Sequence, residues 1–187
     1  MSTSRRLAQL AFQAMVVGVL LVLPACESTS DSGIVGLSSA EYVIRDGSGP
    51  WRPVSLAEIR EAAPFDVVLP SRSPSDLRLE QVLLLPPADH VGSIEGRERN
   101  TILQMTFVMG DRAVLFSQSI SGDGPRDLAE TLELDSGPAE LSLNDGHGYL
   151  AWRACDLGFS VAYAPESIDR EELTEFANAV NEGCAGG

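Results

Sequence analysis

Lysine is absent from the chain: all 13 basic residues are arginine, against 27 acidic residues. This absence excludes Schiff-base catalysis by lysine and the lysine of phosphate-binding loops. The formal charge of −14 is repelled by phosphate backbones, so we exclude nucleic acid as a partner. There are only two histidines, and neither G-x-S-x-G nor H-E-x-x-H occurs. We therefore expect no cofactor, no metal site and no enzymatic activity.

The N-terminus has the pattern of an export signal. The first residues, MSTSRR, carry two arginines and no acid, and an apolar stretch runs from about Leu10 to Leu23. This stretch is shorter than the roughly 20 residues that span a bilayer as a helix. A signal over residues 1–25 that is removed on export is therefore favoured over a permanent transmembrane segment.

The residues Leu23-Pro24-Ala25-Cys26 resemble the lipobox of bacterial lipoproteins. This resemblance implies cleavage before Cys26 and attachment of a diacylglyceryl group, with acyl chains such as palmitate, to its thiol. Each buried methylene of such an anchor contributes about 0.8 kcal/mol to membrane binding. The mature chain would then have 11 arginines against 27 acids, and it would contact the membrane only through the lipid at Cys26. We expect an exported lipoprotein on the extracytoplasmic side.

Two further cysteines, Cys155 and Cys184, would meet an oxidising environment after export. A helix before Cys184 is expected to fold back toward the strand that carries Cys155, which favours a disulfide over two separate thiols. Such a bridge would close the loop between residues 155 and 184 and would stabilise the domain by about 3 to 4 kcal/mol.

The remaining sequence predicts one α+β domain behind a flexible linker. Residues 26–50 are rich in Ser, Gly, Thr and Asp and predict a tether, although residues 42–44 could dock as an edge strand. Residues 51–184 are long enough for one core, and residues 185–187 form a tail. We expect a curved, mostly antiparallel sheet packed by a short N-terminal helix and a C-terminal amphipathic helix.

Local patterns place these elements. Ser55 with Glu58 predicts a capping box that starts a helix, and Asp169 with Glu172 predicts another. Period-two alternation on both sides of the turn at residues 110–111 predicts a hairpin. Further strands are predicted through residues 65–69, 77–85, 141–143, 149–154 and 159–164. The closing helix is predicted to end at Gly183.

The order of capping-box helix, "F-x-V-x-x-P", proline loop, long hairpin, "NDGHGYLAW" and final "EELTEFANAV" helix resembles a bacterial domain-of-unknown-function family. Domains of that family sit outside the cytoplasm, usually C-terminal to an anti-sigma-like membrane segment, which here is replaced by a signal and a lipobox. The resemblance covers about residues 53–182 and implies a fold like that of lipoprotein carriers, with an apolar concavity. It implies a lipid, a peptide or an envelope protein as the ligand, and it supplies no catalytic residues.

Polar side chains that are candidates for chemistry are few. Asp145 beside His147 is the nearest approach to a catalytic pair, but "NDGHG" has the composition of a solvated turn. His90 lies in a loop without a second ligand at zinc spacing. The acids between residues 123 and 135 lack the pattern of a dedicated calcium loop, which favours a solvated acidic surface.

Large apolar side chains on the predicted sheet are candidates for a ligand cavity: Met105, Phe107, Met109, Phe116 and Trp152. The same pattern is equally typical of an ordinary core. We expect a non-catalytic, membrane-tethered binding or accessory module for an apolar ligand or an envelope protein. A cell-envelope hydrolase using Asp145 and His147, or a purely structural envelope protein, is the alternative.

Overall fold

A computed structural model describes residues 33–45, 49–86, 100–122, 130–144 and 146–185, all within the compact unit Ser32–Gly187. These residues form nine strands, two α-helices and one 3₁₀ turn. The strands are β1 Glu41–Ile44, β2 Arg52–Pro53, β3 Arg78–Leu85, β4 Ile102–Met109, β5 Arg112–Ser119, β6 Glu130–Leu134, β7 Gly137–Asn144, β8 His147–Ala154 and β9 Leu157–Tyr163. The helices are α1 Leu56–Ala62 and α2 Arg170–Ala185, and the 3₁₀ turn is Leu37–Ser39.

All nine strands belong to one open sheet, in the order β2-β1-β3-β4-β5-β9-β8-β7-β6. Among the described strands, β1 pairs with β3 in parallel and every other neighbouring pair is antiparallel. The predicted hairpin is present, with Met109 opposite Arg112 across the turn. The α+β class, with a mostly antiparallel sheet and a C-terminal helix, is therefore confirmed.

The core lies between α2 and one face of the sheet. Alternate residues of β4 and β5 point to this face, and Phe107 and Phe116 each meet Phe176 of α2 edge to face at 5.7 Å. The other apolar residues of the α2 stripe are fully buried as well: Leu173, Ala177 and Val180. A helix with such a stripe must cover an apolar surface, and here the sheet supplies it.

Both predicted capping boxes are formed. The backbone N–H of Glu58 donates to the Ser55 hydroxyl, and the Ser55 N–H donates to the Glu58 carboxylate. The same exchange joins Asp169 and Glu172 at the start of α2. The predicted end of that helix is wrong, because α2 continues through Gly183 to Ala185.

Two assignments from the sequence are corrected by long-range pairing. The predicted tether over 26–50 is wrong for residues 33–45, because β1 lies between β2 and β3 inside the sheet and Ile34 is buried. The domain therefore starts before residue 51. The predicted strand through residues 65–69 is also absent: this stretch has no regular secondary structure, and the side chain of Gln118 bonds the backbone of Val68 where a strand would have paired.

Candidate functional site

A disulfide joins the β8–β9 turn to the end of α2. Cys155 and Cys184 are bonded, with their Cα atoms 6.1 Å apart and a sequence separation of 29, which confirms the predicted pairing. Cys155 and Asp156 form a two-residue turn, and both have positive φ, 53° and 62°. Positive φ at both positions is the signature of a type I′ hairpin turn. This turn joins β8 directly to β9.

The segment from Pro64 to Pro70 runs past this end of the sheet and is held at defined points. The buried side chain of Gln118 accepts from the N–H of Val68 at 3.2 Å and donates to the C=O of Val68 at 3.5 Å. Just beyond the segment, the N–H of Ser71 donates to the C=O of Ala179 in α2 at 2.9 Å. The segment is therefore held by the side-chain amide of Gln118 and by a carbonyl of α2, and not by pairing with a neighbouring strand.

Gly183 lets α2 approach this segment closely. A Cβ atom at that position would lie 2.3 Å from the carbonyl oxygen of Leu69, which is far inside normal contact. The missing side chain therefore serves packing between helix and loop, and the helix does not end there.

The Pro64–Val68 segment, the disulfide-bearing turn and the end of α2 line an open groove of about 680 Å³. This size falls within the range of small-ligand sites. Half-buried apolar side chains line it, notably Phe65, Val67 and Ile120. The full lining is Arg60, Pro64, Phe65, Asp66, Val67, Val68, Ile120, Cys155, Asp156, Leu157, Gly183 and Cys184.

The polar groups of this groove are three charged side chains and a disulfide. Its charged side chains are exposed: Arg60, Asp66 and Asp156. Its two cysteines are consumed in the disulfide and offer no thiolate. Among the residues that the structure describes, no group of three or more His, Cys, Asp or Glu side chains is placed to hold a metal ion.

A smaller cavity of about 200 Å³ lies on the sheet face opposite α2. It is lined by uncharged side chains of β4, β5, β8 and β9, including Gln104, Ser117 and Ser160. Its volume is below the usual range for ligand sites, so the groove beside the disulfide is the stronger candidate.

The five side chains predicted to line a ligand cavity do not line either of these two cavities. Met105, Phe107 and Phe116 expose no surface at all, and Trp152 is 5% exposed. The cavity hypothesis is wrong for these four, because α2 fills the space above them and the Trp152 ring stacks on Phe159 at 5.5 Å. Met109 is 42% exposed at the hairpin end, away from the groove.

The remaining predicted residues fall at the surface or outside the described residues. His147 is exposed at the start of β8, opposite Asn144, which matches the expected turn environment. Asp145, His90 and the lipidation candidate Cys26 lie outside the described residues. Of the acids between 123 and 135, Glu130 is exposed and forms an ion pair with Arg170 at 2.7 Å.

Comparison of the chain with protein-family models, with curated proteins and with solved structures finds no match in any of the three. The resemblance to the extracytoplasmic family therefore stays a prediction. In the described part of the chain, neither helix has the length and apolar character needed to cross a bilayer.

Proposed function

We propose that the chain is a membrane-tethered, non-catalytic binding module of the cell envelope that holds a segment of a protein partner in the groove beside the disulfide. The observation that carries this proposal is the groove itself, with an apolar floor at the solvent-exposed end of a well-packed domain. The resemblance to an extracytoplasmic family with a carrier-like fold is part of the same proposal.

The N-terminal sequence supports the tethering. Cys26 follows the apolar stretch and the lipobox-like residues, and the compact unit begins at Ser32. A lipid at Cys26 would hold the domain at the membrane surface, where it meets partners of the envelope rather than of bulk solution.

A protein segment fits the groove better than a lipid tail. An acyl chain gains binding free energy when its methylenes are completely removed from water. This groove is open and has exposed carboxylates at Asp66 and Asp156, so it would leave part of such a chain in water. Apolar centres with polar rims are typical of protein–protein contact surfaces. We therefore commit to a protein partner and treat a lipid as a competing outcome.

The test is binding of an identified partner to purified protein. Partners are cross-linked to the full chain in intact cells through a photoreactive residue at position 67, identified, and each is then purified separately. In detergent, we expect the full chain with Val67→Asp to bind the identified partner at least tenfold more weakly than the wild-type chain does. The reason is that a carboxylate replaces an apolar contact. The matched control, Leu143→Asp, introduces the same charge at a side chain that is 62% exposed outside the groove and should change the affinity less than twofold.

Equal affinities for both variants would contradict the groove as the binding site. Ile120→Asp serves as a second groove variant if Val67→Asp lowers the thermal midpoint. A native mass spectrum in which the chain sheds a lipid on denaturation, with no cross-linked protein, would replace the protein partner by an apolar small ligand. Tethering is tested separately: Cys26→Ser should move the protein from the membrane fraction to the soluble fraction.

A further inference from the structure

The backbone along one side of the groove has open hydrogen-bonding positions. Within the described residues, no hydrogen bond joins the N–H or C=O groups of Phe65, Asp66 and Val67 to another group. The next residue, Val68, has both of its backbone groups satisfied by Gln118. The open backbone groups therefore belong to a row of three consecutive residues, 65–67, which ends where the Gln118 contact begins at Val68.

Side chains along this row alternate in environment. Phe65 and Val67 are half-buried in the groove, and Asp66 between them is exposed. Ile120 completes the apolar lining. A peptide that pairs with this backbone and carries apolar side chains at every second position would fill the groove, as in recognition by added strands.

The charge around the groove favours a cationic ligand. Asp66 and Asp156 outnumber Arg60 in the lining, and the whole chain carries −14 without a lysine. Such a field attracts positive segments, speeds their association and repels acidic ones. Arginine or lysine at the positions between the apolar side chains would meet these two carboxylates.

We propose that the groove binds a cationic peptide segment with alternating apolar side chains, held by hydrogen bonds to the backbone of residues 65–67. This inference rests on the proposed function, since it specifies what the groove takes from its partner. It adds the chemical class of the ligand and the atoms that recognise it.

The probe is an eight-residue peptide of alternating Val and Arg, measured by fluorescence anisotropy against the full chain in nanodiscs of neutral phosphatidylcholine, with empty nanodiscs subtracted. We expect a peptide of alternating Val and Glu to bind at least tenfold more weakly. In a bound strand, alternate residues direct their N–H groups to opposite edges, so N-methylation of every second residue removes the donors from one edge only. Methylating one set of alternate residues should weaken binding at least tenfold, and methylating the other set less than threefold.

Variants of the protein separate the groove charge from the overall charge. Asp66→Asn combined with Asp156→Asn should weaken binding of the Val–Arg peptide at least fivefold, and asparagine tolerates the positive φ of position 156. The control pair, Glu80→Gln with Asp111→Asn, removes two exposed carboxylates toward the opposite end of the sheet. It should change the affinity less than twofold.

Three results would overturn the inference: equal losses in the two double variants, insensitivity to N-methylation in both registers, or no binding of the Val–Arg peptide. The proposed function fails differently. If the identified partner still requires Val67 while the peptide experiments fail, the groove binds a protein surface of another kind. If Val67→Asp leaves the affinity for the identified partner unchanged, both proposals fail.

Discussion

Replacing Gln118 by leucine tests how the groove wall is held. Gln118 is 1% exposed, and its amide is the described partner of both backbone groups of Val68. Leucine has a similar size but offers neither a donor nor an acceptor. The substitution therefore leaves one N–H and one C=O of a buried residue without their partner.

The expected cost follows from these two bonds. An orphaned buried polar group costs about 1 to 3 kcal/mol, and the N–H of Val68, at 3.2 Å, is the better bonded of the two. The C=O contact at 3.5 Å is at the limit of hydrogen bonding and adds less. The added apolar surface of leucine offsets part of the loss, so we expect a net destabilisation of about 1 to 3 kcal/mol. In a domain of this size that lowers Tm by roughly 2 to 12 °C.

Two measurements check this prediction. Thermal and urea unfolding report the free energy of unfolding, and native-state hydrogen exchange reports the amide of Val68, which should lose protection. The control is Gln104→Leu, a half-buried position on the opposite face of the sheet, which should stay within about 0.5 kcal/mol of wild type. Unchanged stability and unchanged protection of the Val68 amide in Gln118→Leu would refute the reasoning.

Three further changes test other contacts of the fold. Cys184→Ala opens the disulfide loop and should lower the free energy of unfolding by about 3 to 4 kcal/mol, with faster hydrogen exchange at the end of α2; wild-type protein in dithiothreitol should behave alike. Gly148→Ala places a Cβ 2.2 Å from the ring of Tyr163 and should destabilise by about 1 to 3 kcal/mol in urea unfolding, with a shifted Tyr163 fluorescence or NMR signal. The hydrogen bond from the Ser55 backbone holds the pKa of Glu58 below its ordinary value, with a second contribution from the Ser55 hydroxyl. The stability from this cap is therefore present above the unfolded-state pKa and lost as pH falls through the lowered folded-state pKa. Ser55→Ala keeps the backbone N–H and removes only the hydroxyl, so in an NMR titration it should raise the pKa of Glu58 part of the way to its ordinary value; an unchanged pKa would contradict the hydroxyl contact.

The disulfide was predictable because it depends on local patterns and one inference of topology. The capping box at Asp169 locates the start of α2, and its apolar stripe orients the helix on the sheet. The helix then has to bring Cys184 back to the end of β8. The start and the apolar stripe of α2 are encoded within a few residues, and the return of the helix to β8 is the one long-range inference; together they favoured the pairing of Cys155 with Cys184 that the structure contains.

The groove was not predictable, because its lining comes from separate stretches of the chain. Arg60, residues 64–68, Ile120, the turn at 155–157 and the end of α2 contribute to it. The one local signal was the Phe65-x-Val67 alternation, which was interpreted as a strand. In the fold this stretch pairs with no strand, and the distant side chain of Gln118 bonds both backbone groups of Val68.

The sequence also could not separate a core from a cavity. Met105, Phe107 and Phe116 have the same alternation in either case, and their burial depends on how closely α2 approaches the sheet. That approach is visible in the contacts of Phe176 with Phe107 and Phe116, while Gly183 allows the end of α2 to contact the carbonyl of Leu69 in the neighbouring loop. A glycine near a helix end is usually a C-cap, so the local pattern indicated the wrong role.

By itself the sequence determined the α+β class, the two capped helices and the hairpin around Gly110, and it favoured a disulfide between Cys155 and Cys184. These features follow from periodicity, capping and turn preferences that act over a few residues. Only the tertiary structure decided that residues 33–45 belong to the sheet, that α2 closes over the aromatic side chains, and that an open groove lies beside the disulfide. Those outcomes depend on which distant segments compete for the same sheet edges and the same apolar surface, and that competition is resolved only when the whole chain is packed.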